Sequence, residues 1–456
     1  MAKTITTFFC TDCGADFPKW QGQCPDCKAW NTISEMKQAK TIKHQKFSGY
    51  AGDKSEVKKL GTVGTDERPR FSTNIGELDR VLGQGMVPGS VILIAGSPGA
   101  GKSTLLLQLM CHLNKAMNAL YVTGEESLQQ VALRANRLKL PSDNLSMLAE
   151  TSVEEIIVHC QNIKPKVVVI DSIQVMNTAD VQSAPGGVSQ VKESAGRLTQ
   201  FAKQTDTTVI LVGHITKDGT LAGPKVLEHM IDTFLMIEDN NDSRFRTIRG
   251  IKNRFGPLNE VGVFAMTDKG MQEVKNPSAI FLSGHDRPSP GSITTVTWEG
   301  TRPLLIELQA LVDSSQGEGT KRVIVGLDQN RSAMLIAVLN KHGGIPLGGM
   351  DIFTNVVGGL KITETSADLA LLIAIVSSLK NKSLPKDIIA FGEVGLSGEI
   401  RPVPSGQERI REAAKHGFHT AIVPKNNAPK EPIKGIKVIA ADKLYDALQA
   451  IEYTNE

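Results

Sequence analysis

The feature that most constrains this fold is a glycine-rich loop between an apolar run and an apolar helix, at residues 90–107. Residues 91–95 are all apolar or small, which predicts a strand buried on both faces. Residues 96–104 match the phosphate-loop pattern G-x-x-x-x-G-K-[ST] at every fixed position. Because strand, loop and helix agree, a chance glycine-rich turn explains the segment poorly. We therefore predict that this loop binds ATP.

The residue types of this loop suit a triphosphate and its metal. The glycines let the backbone N–H groups turn inward, and the following helix directs its positive end to the same point. Lys102 supplies a point charge for the β and γ phosphates, and the Ser103 hydroxyl is a ligand for Mg²⁺. The predicted ATP-binding residues are Gly96, Ser97, Pro98, Gly99, Ala100, Gly101, Lys102, Ser103 and Thr104.

Charge and apolar content exclude other classes of protein. The 51 basic and 48 acidic side chains leave a net charge of +3, so any surface for nucleic acid has to be local. No run approaches the roughly 18 apolar residues that a membrane span needs, and the amino terminus lacks the apolar core of a secretory signal. We expect a soluble, cytoplasmic protein with no membrane partner, whose reduced cysteines bind metal or lie in a core.

Two C-x-x-C pairs separated by ten residues lie near the amino terminus, in a predicted ribbon at residues 1–35. Two such pairs close one tetrahedral thiolate site for Zn²⁺. A segment this short hardly folds without a cross-link such as a bound metal ion, which favours structural zinc over a redox pair or two disulfides. Such a ribbon has room for little besides Trp20 and Phe17. The predicted zinc ligands are Cys10, Cys13, Cys24 and Cys27.

Residues 61–275 alternate between apolar runs and helical patterns, which predicts a mostly parallel sheet flanked by helices. The predicted strands cover 120–123, 167–170, 208–212 and 230–237, and the helices between them 128–138, 153–163 and 191–203.

Two linkers separate this α/β core from its neighbours. Residues 36–60 are polar and rich in lysine, which favours a flexible linker; a tail that follows DNA phosphates is the alternative. A second linker at 276–290 contains three prolines, and residues 291–456 then read as another α/β domain.

Polar residues follow several of the predicted strands, where ligands of parallel sheets bind. Glu125 or Glu126 would orient the water that attacks the γ phosphate, with no basis for choosing between them. Asp171 ends an apolar run and would hold Mg²⁺ directly or through water. His214 would sense the γ phosphate, unless it is a satisfied structural histidine.

Two loops and one basic segment are further candidates for binding phosphate-bearing ligands. Residues 176–190 and 216–229 are long loops, which suit a bound strand. Lys252 and Arg254 lie two residues apart on an extended segment and so point the same way. We expect them to reach the phosphates of a neighbouring subunit; a solvated basic strand is the alternative.

Together these motifs resemble the RadA (Sms) family of bacterial DNA repair proteins over the whole chain. The resemblance rests on the four-cysteine motif, the loop Gly-Ser-Pro-Gly-Ala-Gly-Lys-Ser, the signature Lys-Asn-Arg-Phe-Gly at 252–256 and a carboxyl-terminal domain similar to the Lon protease domain. It implies a RecA-type ATPase that forms a homo-hexameric ring on single-stranded DNA and drives branch migration of branched DNA. It also implies the RecA recombinase as a partner.

The Lon-like domain departs from the protease pattern. Lon proteases use a Ser-Lys dyad; Ser366 aligns with the serine segment, but Gln407 stands where the lysine belongs. A glutamine cannot activate a serine hydroxyl, and Asp368 replaces the expected glycine. We therefore expect a scaffold without protease activity, with a basic face from Lys321, Arg322 and Arg331.

A regulatory ATPase switch, like the circadian protein KaiC, is the second hypothesis. It shares the core and the paired glutamates, but the zinc motif and the Lys-Asn-Arg-Phe-Gly signature count against it. Stimulation of ATP hydrolysis by single-stranded DNA distinguishes the two.

Overall fold

A computed structural model describes residues 5–17, 19–38, 69–214, 226–239, 244–282, 288–317 and 319–453. The chain divides into two compact units, Met1–Val274 and Lys275–Glu456. Most of the predicted linker 36–60, and residues 216–225 of the second long loop, lie outside the described residues. Within them, no helix combines the length and the apolar character needed to cross a membrane.

The amino-terminal segment forms a small antiparallel sheet in the order β2-β1-β3. Its strands are β1 (Ile5–Cys10), β2 (Asp16–Phe17) and β3 (Ile33–Gln38). Cys10, Cys24 and Ile33 are buried, and Phe17 packs against them as predicted. Trp20, however, is 59% exposed, so its predicted place in the ribbon core is wrong. Its indole N–H donates to the carbonyl of Ile33 at 3.1 Å, which holds the ring at the surface.

The rest of the first unit alternates strands and helices, as the apolar rhythm predicts. Its helices are α1 (Gly76–Leu82), α2 (Lys102–Leu113), α3 (Leu128–Arg137), α4 (Val153–Ile163), α5 (Val188–Thr205) and α6 (Val226–Met230). Its strands are β4 (Val91–Gly96), β5 (Ala119–Thr123), β6 (Ser146–Ala149), β7 (Val167–Asp171), β8 (Thr208–His214), β9 (Thr233–Asp239), β10 (Phe245–Asn253), β11 (Val261–Thr267) and β12 (Gly270–Glu273).

Within the described residues these strands form one sheet in the order β12-β11-β10-β9-β4-β8-β7-β5-β6. The strands from β9 to β6 run parallel, while β10, β11 and β12 add an antiparallel edge. The central strand β4 is buried on both faces: Ile92 and Ile94 pack with α1, α2 and α3, whereas Val91 and Leu93 pack with α4 and α5. The carboxyl ends of the parallel strands therefore meet at one edge.

The predicted strand 230–237 begins later than expected. Met230 ends the short helix α6, and β9 starts at Thr233. An apolar run can be part of a buried helix or a buried strand, and periodicity cannot separate them over so few residues.

The second unit is a separate mixed α/β fold, as predicted. Its strands are β13 (Ser292–Glu299), β14 (Arg302–Ser314), β15 (Arg322–Val325), β16 (Met350–Val356), β17 (Ile388–Ala390), β18 (Glu393–Val394), β19 (Ile400–Arg401), β20 (Thr420–Pro424) and β21 (Lys437–Ala441). Its helices are α7 (Ser278–Phe281), α8 (Gln329–His342), α9 (Asp368–Leu379), α10 (Gly406–Lys415) and α11 (Leu444–Tyr453).

The main sheet of this unit has the order β15-β16-β14-β13-β17-β20-β21 among the described strands. The apolar helix α9 is buried along its length against β13 and β14. Helix α7 falls inside the predicted linker 276–290: Phe281 is buried, and the Ser278 hydroxyl accepts the N–H of Leu305 at 3.3 Å. This part of the segment is thus packed against the second unit.

Candidate nucleotide and metal sites

The phosphate loop joins β4 to α2 at the carboxyl edge of the sheet. Gly101 has φ +99°, and a Cβ there would approach the Met266 side chain to 2.6 Å. At Gly96 a Cβ would lie 2.8 Å from the carbonyl of Ile237 on β9. The pattern's two fixed glycines are therefore demanded by close neighbours as well as by the turn.

Lys102 lies at the first turn of α2 and is nearly buried. Its Nζ donates to the carbonyl oxygens of Gly96 at 2.8 Å and Ser97 at 2.9 Å. The ammonium group is thus held across the loop, between the end of β4 and the start of α2.

Asp171 at the end of β7 faces this loop. Burial is the main cause that raises the pKa of Asp171, while the Tyr121 and Ser103 hydroxyls act on this carboxylate in the opposite direction. A hydroxyl and a carboxylate are the hard oxygen donors that Mg²⁺ prefers, so the pair fits that ion. Ser103 and Asp171 would hold it between them.

The structure separates the two glutamates that the sequence leaves equivalent. Glu125 accepts a hydrogen bond from the Ser172 hydroxyl, and its Oε1 lies 3.4 Å from Nε2 of His214. The hydrogen bond with His214 is the largest cause that lowers the pKa of Glu125, and the charge of Lys102 acts in the same direction. Glu125, His214 and Lys102 therefore belong to one electrostatic cluster.

Glu126 instead forms an ion pair with Arg134 on α3. Its backbone N–H and carbonyl are both bonded to the Thr123 hydroxyl, at 3.2 Å and 2.8 Å. The Glu126 side chain is thus bound to helix α3 through Arg134, and its backbone is fixed by Thr123.

Lys252 and Arg254 lie elsewhere on the same sheet. Lys252 pairs with Phe234 of β9, which in turn lies beside Leu93 of β4. Three residues of strand, roughly 10 Å, separate Leu93 from the end of β4 at Gly96. The two cations therefore lie toward the amino end of β4, away from the phosphate loop of their own chain.

Both cations have partners within their own chain. The Nζ of Lys252 donates to the carbonyl oxygens of Glu228 in α6 and of Ile231 just past it, and burial of Lys252 lowers its pKa. Arg254 is 3.3 Å from Asp232, a buried carboxylate that also accepts from Lys203 at 2.5 Å. As predicted, the two side chains point the same way, toward residues 228–232.

The loop 176–190 is held by polar side chains. Glu154 accepts from the Thr178 hydroxyl at 2.6 Å and from Arg197 at 2.7 Å. Gln190 donates to the carbonyl of Val181 at 3.1 Å. This loop is therefore anchored to α4 and α5, while residues 216–225 of the other loop lie outside the described part of the chain.

The four predicted zinc ligands converge. Their sulfur atoms all lie within 4.8 Å of one another, with Cys10 to Cys27 at 3.6 Å and Cys13 to Cys24 at 3.5 Å. The two knuckles repeat one geometry, because the N–H groups of Cys10 and Cys24 each bond the carbonyl five residues ahead at 2.9 Å. Four thiolates in such a cluster suit Zn²⁺.

In the second unit, the two residues aligned with the protease dyad contact different partners. Ser366 is buried, and its hydroxyl donates to Glu364, which is paired with the fully buried Arg409 at 2.7 Å and 2.8 Å. Gln407 is exposed and its side chain contacts Arg411 on the same helix.

Arg331, one of the three residues of the predicted basic face, forms an ion pair inside the second unit. Arg331 forms two bonds to Asp368, one of them 2.8 Å from Nε, and so pairs within the unit. Its partner is the aspartate that replaces the glycine expected beside Ser366.

Comparison with known proteins gives three family models in sequence order. Residues 8–35 match a rubredoxin metal binding domain, residues 70–220 an AAA domain, and residues 313–427 subunit ChlI of Mg-chelatase. The metal-binding match covers the four cysteines, and the AAA match covers the phosphate loop, both glutamates, Asp171 and His214.

Whole-chain relatives are also found. The chain is 60% identical over 450 residues to the DNA repair protein RadA of Escherichia coli strain K12, covering 98% of each chain. It is 60% identical to that of Haemophilus influenzae, with the same coverage. The RadA of Bacillus subtilis is 44% identical over 454 residues, covering 98% of this chain and 99% of the relative.

Proposed function

The chain belongs to the family of the DNA repair protein RadA, and from that premise we propose that it is an ATP-driven motor on DNA. In this proposal it hydrolyses ATP, translocates on single-stranded DNA and promotes branch migration of recombination intermediates. One observation carries the catalytic part: Lys102, Ser103, Asp171, Glu125 and His214 converge at one edge of the sheet.

Each of these residues has a distinct role in the proposed reaction. Lys102 and the loop N–H groups bind the β and γ phosphates. Ser103 and Asp171 hold Mg²⁺, which when bound neutralises charge on the phosphate oxygens. Glu125 orients the attacking water and takes its proton, and His214 reports the state of the γ phosphate through its contact with Glu125.

We assign the role of orienting the attacking water to Glu125 rather than Glu126, because the two side chains have different partners. Glu125 lies among Ser172, His214 and the charge of Lys102. Glu126 is bound to Arg134 on α3.

Lys252 and Arg254 act across a subunit boundary in this proposal. Their position toward the amino end of β4 puts them out of reach of their own loop, which supports a role in a neighbour's site. A homo-hexameric ring then completes each site between two subunits. The loops 176–190 and 216–229 contact the DNA strand, and RecA recombinase is the proposed protein partner.

Proteolysis is not part of this proposal. The Ser366 hydroxyl is buried against Glu364, and Gln407 offers no base. We propose instead that the Lon-like unit is a scaffold of the ring.

Unwinding of a forked DNA with a single-stranded arm, in the presence of ATP and Mg²⁺, tests the proposal. We expect the wild type to separate the strands and Lys102→Ala to lose the activity. Lys115→Ala is the matched control, because this exposed lysine lies two residues beyond α2. Strand separation that survives Lys102→Ala would contradict the proposal.

A second measurement separates the motor from a regulatory switch. Single-stranded DNA is expected to stimulate ATP hydrolysis by the wild type. Hydrolysis that single-stranded DNA leaves unchanged, together with no unwinding, would favour the switch.

A further inference from the structure

A buried tyrosine lies beside the proposed magnesium site and belongs to none of the sequence motifs. Tyr121 is in the middle of β5, next to β7, between the apolar residues Leu120 and Val122, and only 1% of it is exposed. A buried phenol needs an acceptor for its O–H, so a tyrosine in such a strand has a polar partner nearby. That requirement is the one sequence signal by which this residue could have been found.

The partner is Asp171. The Tyr121 hydroxyl lies 2.5 Å from Oδ2 of Asp171, a distance typical of a strong hydrogen bond to a carboxylate. The Cα partner of Tyr121 across β5 and β7 is Val169, and the partner of Asp171 is Thr123. The Tyr121 side chain therefore points toward the carboxyl ends of the strands, because Asp171 lies two residues beyond the position opposite Tyr121.

Two elements bring hydroxyl groups to Asp171. Tyr121 donates to it from β5, and the Ser103 side chain lies nearby in the first turn of α2. Glu125 and Glu126 are nearby like charges that interact unfavourably with this carboxylate. A rigid donor from the neighbouring strand opposes that repulsion and restricts rotation of the carboxylate.

We propose that Tyr121 is a positioning residue that holds the Asp171 carboxylate toward Ser103, in the orientation in which the two share Mg²⁺. The inference rests on the proposed function, since it assumes that Ser103 and Asp171 bind the metal of a nucleotide. A phenylalanine would fill the same space but would leave Oδ2 of Asp171 without this donor.

Binding of a fluorescent ATP analogue to the full chain tests this, with Mg²⁺ and again in EDTA. We expect Tyr121→Phe to weaken binding about 10-fold in Mg²⁺, the usual cost of losing a residue that orients a metal ligand. In EDTA its affinity should equal that of the wild type, because the phosphate loop is unaltered. A titration of Mn²⁺ at saturating nucleotide should show the same loss in metal affinity.

Tyr445→Phe is the matched control, since Tyr445 is an exposed phenol in the second unit. It should leave both affinities unchanged. Equal affinity of Tyr121→Phe and wild type in Mg²⁺ would overturn the proposal, and so would an equal loss in Mg²⁺ and EDTA, which indicates a distorted loop. A wild type that binds no nucleotide would instead refute the proposed function.

Discussion

At the scale of the residue, adjacent side chains in this protein contact different elements, and the proposed function gives them different roles. Glu125 and Glu126 follow the same strand, but one reaches Ser172 and His214 and the other reaches Arg134 on α3. Arg134 holds the Glu126 carboxylate at helix α3, whereas the Glu125 carboxylate lies where the charge of Lys102 acts on it. The proposed chemistry therefore depends on one of the two.

Substitution of each glutamate by glutamine tests this difference. We expect Glu125→Gln to reduce ATP hydrolysis at least about 100-fold, the typical contribution of a general base. Glu126→Gln should retain most of the activity. Steady-state hydrolysis together with nucleotide affinity makes the comparison, and both variants should bind ATP like the wild type. The reverse order of activities would refute the assignment.

The second unit contains an ion pair between Arg409 and Glu364 that we expect to contribute to stability rather than to the proposed chemistry. Arg409 is fully buried, with the rings of Trp298 and Phe391 about 6 Å away, and it makes two bonds to Glu364. The same glutamate accepts from the Ser366 hydroxyl. Removing the arginine would leave a partly buried carboxylate without its countercharge.

We expect Arg409→Met to destabilise the second unit by about 3–5 kcal/mol, the usual cost of breaking a buried ion pair. Chemical unfolding followed by circular dichroism measures the effect. Arg411→Met is the control, because Arg411 is exposed on the same helix and should change stability little. Similar unfolding curves for the two variants would show that the pair does not stabilise the fold.

At the scale of the element, the amino-terminal ribbon depends on its metal site more than on its core. Its described strands are two to six residues long, and its buried side chains are few. Apolar burial on this scale cannot offset the chain entropy of folding. The four converging sulfur atoms supply the missing stabilisation once zinc is bound.

Replacing one ligand should remove the metal and unfold the ribbon only. We expect one zinc ion per wild-type chain, and Cys13→Ser to lose it. Because Trp20 is ordered by the carbonyl of Ile33, its emission should shift in the variant, while ATP hydrolysis without DNA persists. Metal analysis and tryptophan fluorescence provide the measurement.

Cys160→Ala is the matched control for this experiment. Cys160 is a buried cysteine of α4 that packs in the ATPase core, and it should leave the zinc content unchanged. Full zinc content in Cys13→Ser would contradict the four-cysteine site.

At the scale of the whole molecule, the proposed active site is divided between two chains. Lys252 and Arg254 lie away from the phosphate loop of their own chain and are held by residues 228–232. Their use in a neighbour's site requires that subunit contact competes with these internal bonds. The residues that hold them, 228–232, overlap the end of the predicted loop 216–229, so the proposed DNA-contacting loop and the residues that hold these cations are continuous in sequence.

Mixing two inactive variants tests this division. Lys102→Ala lacks the loop lysine and Arg254→Ala lacks the cation given to the neighbour, so each alone should hydrolyse little ATP. A random 1:1 mixture should recover about a quarter of wild-type activity, because one site in four then has both parts in a head-to-tail ring. No recovery after subunit exchange would indicate that Arg254 acts within its own chain or not at all.

Patterns among residues close in sequence determined much of the fold and of the candidate sites. The phosphate loop, the alternation of strands and helices and the two C-x-x-C pairs follow from residues that are close in sequence, because periodicity and turn chemistry act over a few residues. These features were predictable without knowledge of any long-range contact.

Only the tertiary structure decided which distant residues meet. The contact of Glu125 with His214, the pairing of Arg331 with Asp368 and the contact of Tyr121 with Asp171 each join segments far apart in sequence. The ion pair of Glu126 with Arg134 and the exposure of Trp20 are likewise visible only in the structure. They depend on strand order and register, which set the neighbours of each side chain once the sheet has formed. No local pattern encodes that order, so it is known only from the assembled fold.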